Sequence, residues 1–474
     1  MLNDFDFRMI GIKVIVFLVS IAIIECTIHR FLKCPEMDSS FCKCYEMVWD
    51  GIIKNGGLYN ESICKGQSPT TFVSKIADLR LIDTRIPIPP GLPTSIVRLR
   101  IQHWNLMMSP DDYANIPTSV KYLYLSNNRI SKFNLTYLHH VRNLRILDLS
   151  NNPLTTLDIP SSSPFRLQDL YLDGLEWKTL DTTKYELSRL GNLYARNGKI
   201  ENVKLNFKSG DLNKDIYLEN NRITTFDATK FIFNKIDTLD LSENPIQKLD
   251  FSSGVDNLRF LYLRNINLKV FDGSMFHLPR LYKLDLSDNP IETVYINGLS
   301  IESFTFNNIG LTCFDDLIEG MSNINRLELE NNELKTLHLT HYVNSFDVRG
   351  NKHISRIKLH SLPKFFDADK ESLPCDCCLL KLFSNIRDPS YEVSKCRKSQ
   401  KHNNNITSLA NSIGCDLNRT KTDICDSLPP MPACDGVFKI RPTTPAPPTT
   451  TEIEITTPST QSSGKTRCLS IFFL

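Results

Sequence analysis

The chain has 474 residues, room for several ordinary domains, and its 55 Lys and Arg almost cancel its 53 Asp and Glu. A formal net charge of +2 supplies no strong basic field, so a nucleic-acid partner is not expected. Fourteen cysteines, most of them toward the two ends, accompany N-x-S/T sequons at Asn60, Asn134, Asn405 and Asn418, a pairing that excludes an ordinary reducing compartment and points to secretion.

Arg8 and Lys13 precede an apolar run, Val14–Ile24, that ends near Glu25-Cys26. Its 11 residues suit the hydrophobic region of a signal peptide and are too few to cross a bilayer as a helix. Residues 1–26 therefore read as a signal peptide, with an uncleaved anchor as the alternative. A cysteine cluster follows in 27–75: Cys34-Pro35, Cys42, Cys44 and Cys64. Cys42 and Cys44 around Lys43 could ligate zinc, but no His stands at ligand spacing, and disulfides fit the oxidising compartment better.

The stretch Leu144–Leu157, LRILDLSNNPLTTL, spaces its residues as L-x-x-L-x-L-x-x-N-x-L-x-x-L. Between Val120 and Leu281 this pattern recurs at steps of 24, 23, 23, 23, 23, 22 and 23 residues. Such a fixed period marks a repeat array. The repeats begin at Ile76 (degenerate), Ile96, Val120, Leu144, Leu167, Leu190, Asn213, Ile236, Leu258, Leu281, Ile301, Ile324 and Val343, which gives twelve or thirteen within 76–362.

Each L-x-L pair points inward from a short strand, and stacking pairs the strands into a parallel sheet at about 4.8 Å spacing. An inward Leu contributes on the order of 1.5–3 kcal/mol only when a neighbouring repeat covers it, so single repeats are not expected to fold. The Asn that leaves the strand (Asn128, Asn152, Asn221, Asn244, Asn289, Asn332, Asn351) satisfies backbone groups in the turn. Trp104, Leu175, Gly198, Ile266 and Ile309 replace it elsewhere. On the returning half, Phe271, Phe276 and Leu278 fill the convex side, with short helical turns or none.

Residues 363–436 contain Leu373-Pro-Cys-Asp-Cys-Cys and add Cys396, Cys415, Cys425 and Cys434. From 437 to 474 Thr and Pro dominate; this tail cannot bury a core and reads as a disordered stalk suited to O-glycosylation. Its apolar end, Cys468–Leu474, is shorter than a lipid-anchor signal requires, so free secretion and anchoring both stay open.

Together, Cys34-Pro35, Cys42-Lys43-Cys44 and Cys64, the repeats, and the Pro374-Cys375-Asp376-Cys377 closure resemble extracellular leucine-rich repeat proteins with Cys-rich caps. The resemblance implies an α/β solenoid: a horseshoe with a parallel β-sheet on its concave face and a disulfide-stapled cap at each end. It implies pairs Cys34–Cys44, Cys42–Cys64, Cys375–Cys396 and Cys377–Cys415. A further bridge is expected between Cys425 and Cys434, leaving Cys378 unassigned.

No nucleophile elbow, phosphate loop or H-E-x-x-H is present, and His338 and His341 read as surface histidines. Neither an enzyme nor a cofactor or metal is expected. The motif instead leaves one residue free between its last two apolar positions, facing the concave side. Down the array that position reads Arg100, Tyr124, Asp148, Tyr171, Tyr194, Tyr217, Asp240, Tyr262, Asp285, Thr305, Glu328 and Asp347. Tyr122, Asp169, Arg196, Asp215, Phe260, Arg264 and Tyr282 flank it.

Tyr and Asp suit any exposed strand, but adjacent tyrosines also offer contact area and a hydrogen-bonding end at little entropic cost. The candidate binding residues are Tyr124, Asp148, Tyr171, Tyr194, Tyr217, Asp240, Tyr262 and Asp285. The resemblance implies an extracellular or cell-surface protein partner, of adhesion, matrix or receptor-ectodomain type. The alternative is innate-immune recognition of a microbial glycan or lipid. Membrane contact is expected only if the C-terminus is anchored.

Overall fold

The structure, a computed structural model, describes residues 43–48, 60–65, 78–82 and 88–425, with breaks at 89, 93, 103–105, 161–165, 186, 188, 208–213, 234, 297–298, 300, 316–323 and 387–388. The expected signal peptide, Cys34, Cys42, Cys434 and the Thr/Pro-rich tail lie outside the described residues.

One sheet of 16 strands runs along the described chain. It starts with an antiparallel hairpin, Lys43–Val48 against Asn60–Lys65, whose backbone register sets Cys44 opposite Cys64. From Asp78–Ile82 onward every neighbouring pair is parallel, one strand per repeat, as far as Phe365–Asp367. Most of these strands are three residues long, as Ile146–Asp148 and Asp169–Tyr171 are. The middle residue turns into the core, as Leu147, Leu170, Leu193, Ile216 and Leu239 do at 0–1% exposure. Period-two alternation sends its two neighbours to the opposite face. The result is a parallel solenoid of the horseshoe kind.

The ladder asparagines explain how the turns hold. Asn152 Nδ2 donates to the carbonyls of Leu125 and Leu149, both at 2.9 Å, and its Oδ1 accepts from Ile130 N–H at 3.0 Å. Asn244 does the same toward Leu218, Leu241 and Ile223. Each side chain thus satisfies polar groups of two adjacent repeats in a buried place where water cannot. The residue just before takes a left-handed conformation in repeat after repeat, at Asn127, Asn151, Asn197, Asn220, Glu243, Asn265, Asp288, Asn308 and Asn331. Asn and Asp tolerate that region better than other side chains, which accounts for the recurring Asn-Asn.

The convex side carries short paired strands, such as Thr225–Asp227 with Lys248–Asp250, and 3-10 turns at Leu135–Leu138, Ala228–Lys230 and Gly273–Met275. Asp227, Asp250 and Asp272 each accept from the backbone N–H two residues on, which closes the turn. Phe271 and Leu278 are buried and Phe276 packs against them, edge-on to Phe251 at 5.3 Å.

One repeat departs from the pattern. Its expected first position, Asn213, lies outside the described residues, and the side chain buried there is Lys214, at 3% exposure. A register shift falls between Lys214 and Asp215, where the strand Lys214–Tyr217 meets Ile236–Asp240.

Four short helices close the C-terminal end: Cys377–Ser384, Ser390–Val393, Ile406–Ser412 and Lys421–Cys425. Disulfides join Cys375 to Cys396 and Cys377 to Cys415, the pairs the resemblance implies. A further bridge joins Cys378 to Cys425. The expected Cys425–Cys434 bond is therefore not formed, and Cys378 has a partner. Helical packing of Cys377–Ser384 against Lys421–Cys425 brings these two sulfurs together, which spacing alone did not reveal.

Candidate functional site

The parallel register brings the eight candidate residues into one column. Tyr124 stands beside Asp148, then come Tyr171, Tyr194, Tyr217, Asp240, Tyr262 and Asp285, each opposite the next. All eight are half-buried.

Three of the tyrosines stack. The rings of Tyr171 and Tyr194 are 4.3 Å apart between centroids, those of Tyr194 and Tyr217 are 4.7 Å apart, and both pairs lie within 1° of parallel. Strand spacing sets this distance, and identical side chains on adjacent parallel strands adopt the same direction. Burial, then the neighbouring Asp215, pushes the Tyr217 hydroxyl up to about 12; burial likewise raises Tyr171 and Tyr194. The hydroxyls stay protonated and can both donate and accept.

Arg196 braces the stack from the side. Its guanidinium donates to Asp173 through Nε and Nη2, at 3.1 and 2.8 Å to Oδ2, and to Glu219 through Nη1 at 3.4 Å. It also lies 5.2 Å from the Tyr194 centroid, within cation–π range. The Asp173 carboxylate holds the Arg196 charge firmly in place. On the other edge, Asn192 donates to Asp169 at 2.6 Å.

Carboxylates outnumber the free cations around the stack. Arg196 is engaged by Asp173 and Glu219, and Arg259 by Asp237 at 2.5 Å. Asp215 Oδ1 and Glu219 Oε2 are buried atoms with no hydrogen-bond partner. Burial and the charge of Asp240 push the Glu219 carboxyl up to about 7 despite Arg196, and burial also raises Asp215 and Asp240. Asp173 and Glu219 were not singled out from the sequence, although both stand two residues beyond a concave tyrosine, the position Arg196 also holds. That fixed offset is the signal that could have found them.

Toward the C-terminus the column becomes Thr305, Glu328 and Asp347, and aromatic stacking stops. There Arg349 pairs with both Asp347 and Glu330. The sequon residues Asn405 and Asn418 are exposed, Asn134 is half-buried and caps the turn Leu135–Leu138, and Asn60 opens the strand Asn60–Lys65. Among the described residues no helix is long and apolar enough to cross a membrane.

Residues 99–174 match a leucine rich repeat family model. Podocan-like protein 1 is similar at 32% identity over 121 residues in Homo sapiens, covering 24% of this chain and 23% of the human protein. The Mus musculus counterpart is 32% identical over 112 residues, covering 23% of this chain and 20% of its own length. The chain thus spans about a quarter or less of the curated relatives it matches. Among solved structures, a TLR13–ssRNA13 complex covers 64% of this chain and 55% of its own at 18% identity and a TM-score of 0.47. The leucine-rich repeat domain of APL1B covers 63% and 82% at 19% identity and a TM-score of 0.37. Overlap at that level carries no ligand across.

Proposed function

We propose that this leucine-rich repeat protein is an extracellular binding glycoprotein that takes a protein partner along its concave face. The stack of Tyr171, Tyr194 and Tyr217 carries the reading. It is held rigid before any partner arrives, so little side-chain entropy remains to be lost on binding. Protonated hydroxyls along its rim supply both donors and acceptors, and the braced Arg196 adds a fixed charge beside them. The C-terminal disulfides and the exposed sequons at Asn405 and Asn418 support an oxidising, extracellular setting. The column places one residue on each successive strand, and its length suits an extended or grooved protein surface better than a compact small molecule.

Affinity capture from secreted and cell-surface proteins, with the purified chain as bait, tests this. The expected outcome is a protein retained by the native chain and lost when all three tyrosines are replaced by alanine. Retention of the same partner by the triple variant would place binding elsewhere. Capture of a microbial glycan or lipid instead would favour pattern recognition.

A further inference from the structure

The concave column reads Tyr124, Asp148, Tyr171, Tyr194, Tyr217, Asp240, Tyr262 in consecutive strands. The same arrangement therefore occurs twice: an aspartate in register between two tyrosines, once on each side of the central stack. Each Asp is short, so a gap opens above it between the flanking rings. Two strand spacings, about 9.6 Å, leave about 6 Å once half a ring thickness is subtracted at each side. That is the size of a guanidinium or ammonium group.

The ring faces bordering these gaps are the open ones. Tyr171 and Tyr217 each give one face to Tyr194 and turn the other toward Asp148 and Asp240 respectively. The outer neighbours already carry cations on their far sides: Arg100 lies 5.5 Å from the Tyr124 centroid and Lys283 lies 5.0 Å from that of Tyr262. The protein thus displays the same contact, a cation on a concave tyrosine, with its own side chains at both ends of the column.

The floors of the gaps are acidic. Asp148 and Asp240 each accept one backbone N–H, from Ser150 and Ser242 at 2.9 Å. Neither pairs with a cation among the described residues. Beside the second gap, Asp215 Oδ1 and Glu219 Oε2 lack any donor.

The geometry points to two cation slots, Tyr124–Asp148–Tyr171 and Tyr217–Asp240–Tyr262, that receive two basic side chains of one extended segment of the protein partner. This deepens the concave-face reading and rests on it. Four strand steps separate the slots, about 19 Å. An extended chain rises about 3.3 Å per residue, so the two basic residues stand six apart, on the same side of the segment. The ring faces supply cation–π attraction and the carboxylates neutralise the charge in a partly desolvated site.

The test uses the full glycosylated chain and fluorescein-labelled Gly/Ser peptides bearing two arginines, either six or three residues apart, with binding read by anisotropy at low salt. The six-spaced peptide is expected to bind at least tenfold more tightly. Asp148→Asn with Asp240→Asn, which keeps both serine N–H bonds, is expected to abolish that preference. Asp256→Asn, at an exposed carboxylate outside the column, is expected to preserve it. Equal affinity for the two peptides, no binding of either, or equal loss in the Asp256 variant overturns the slots. Should the slots fail while partner capture still depends on the three stacked tyrosines, the surface reading survives without them. Loss of that dependence removes both.

Discussion

Tyr171 lies face to face with Tyr194, 4.3 Å between centroids and within 1° of parallel. Neither ring is placed by a loop; both stand on three-residue strands whose central leucines are locked in the core. The surface is therefore as rigid as the solenoid beneath it. Each stacked pair contributes about 0.5–1.5 kcal/mol beyond its burial, so Tyr194→Ala, which breaks two pairs, should cost about 1–3 kcal/mol. Tyr194→Phe should cost almost nothing. The triple alanine variant should melt within about 5 °C of the native chain while losing at least tenfold in partner affinity. Thermal melting alongside surface plasmon resonance checks both; a collapse in melting temperature would make the strip scaffold instead.

Asn244 acts on the scaffold rather than the surface. Its side chain makes bonds to Leu218, Leu241, Ser242 and Ile223, all in buried surroundings. Asn244→Ala leaves several backbone groups without partners and should cost about 3–5 kcal/mol in urea unfolding. Asn220, one residue before another ladder Asn and left-handed at φ 55°, should behave differently. Asn220→Gly should be nearly neutral, while Asn220→Val should lose about 1–2 kcal/mol. Equal costs for Ala at 244 and Gly at 220 would refute the division of labour within Asn-Asn.

Much of this was readable in the chain. The 23-residue period gave the strand positions, and the motif's free position gave the concave column residue by residue, because parallel stacking keeps every repeat in register. Two things were not. Lys214 breaks the apolar rule at a register shift, and nothing local in its sequence announces a shift that depends on the next strand. Cys378 pairs with Cys425 because two cap helices pack, a tertiary fact that cysteine spacing does not encode. The tyrosines were legible as neighbours; the carboxylates beside them, Asp173 and Glu219, share in the sequence only an offset of two residues from a concave tyrosine, and it is the fold that joins both to Arg196.

The Cys378–Cys425 bridge spans 47 residues and ties the last described helix back to the first helix of the cap. Replacing both cysteines with serine should destabilise the cap by about 2–5 kcal/mol and raise proteolysis there, with the repeats unaffected. Peptide mapping under non-reducing conditions should recover Cys378 linked to Cys425. A peptide joining Cys425 to Cys434 would contradict this pairing.

Glu219 should make the native chain sensitive to pH near neutrality. Its folded pKa, about 7, lies above the usual value of 4.5 because of burial and the charge of Asp240. The folded state therefore holds a proton that the unfolded state has released between those values. Its contribution is fully present below about 4.5 and is lost as pH rises through 7. Glu219→Gln should flatten the stability profile across that window, measured as urea midpoints. A native profile as flat as the variant's would show that Glu219 titrates normally.

Lys214 has the opposite sign. Its side chain sits in the core at 3% exposure, with its ammonium directed at the Leu190 carbonyl. Burial, and then the charge of Lys235, lowers its pKa from 10.5 to about 8. The unfolded state binds a proton that the folded state has lost between those values, so stability rises with pH across the same interval. Below about 8 the full penalty of a buried cation applies, and it is relieved toward 10.5. Carbonyl contact and residual hydration offset part of that penalty, which leaves about 1–3 kcal/mol. Lys214→Met keeps the chain's length and apolar stem, so it should stabilise the solenoid by that amount at pH 7 and by progressively less toward pH 10. Chemical unfolding of the two proteins at pH 7, 8.5 and 10 measures the difference. A gap that stays constant over the three values would mean that Lys214 keeps the same protonation in the folded and unfolded chain, its ammonium hydrated rather than penalised by burial.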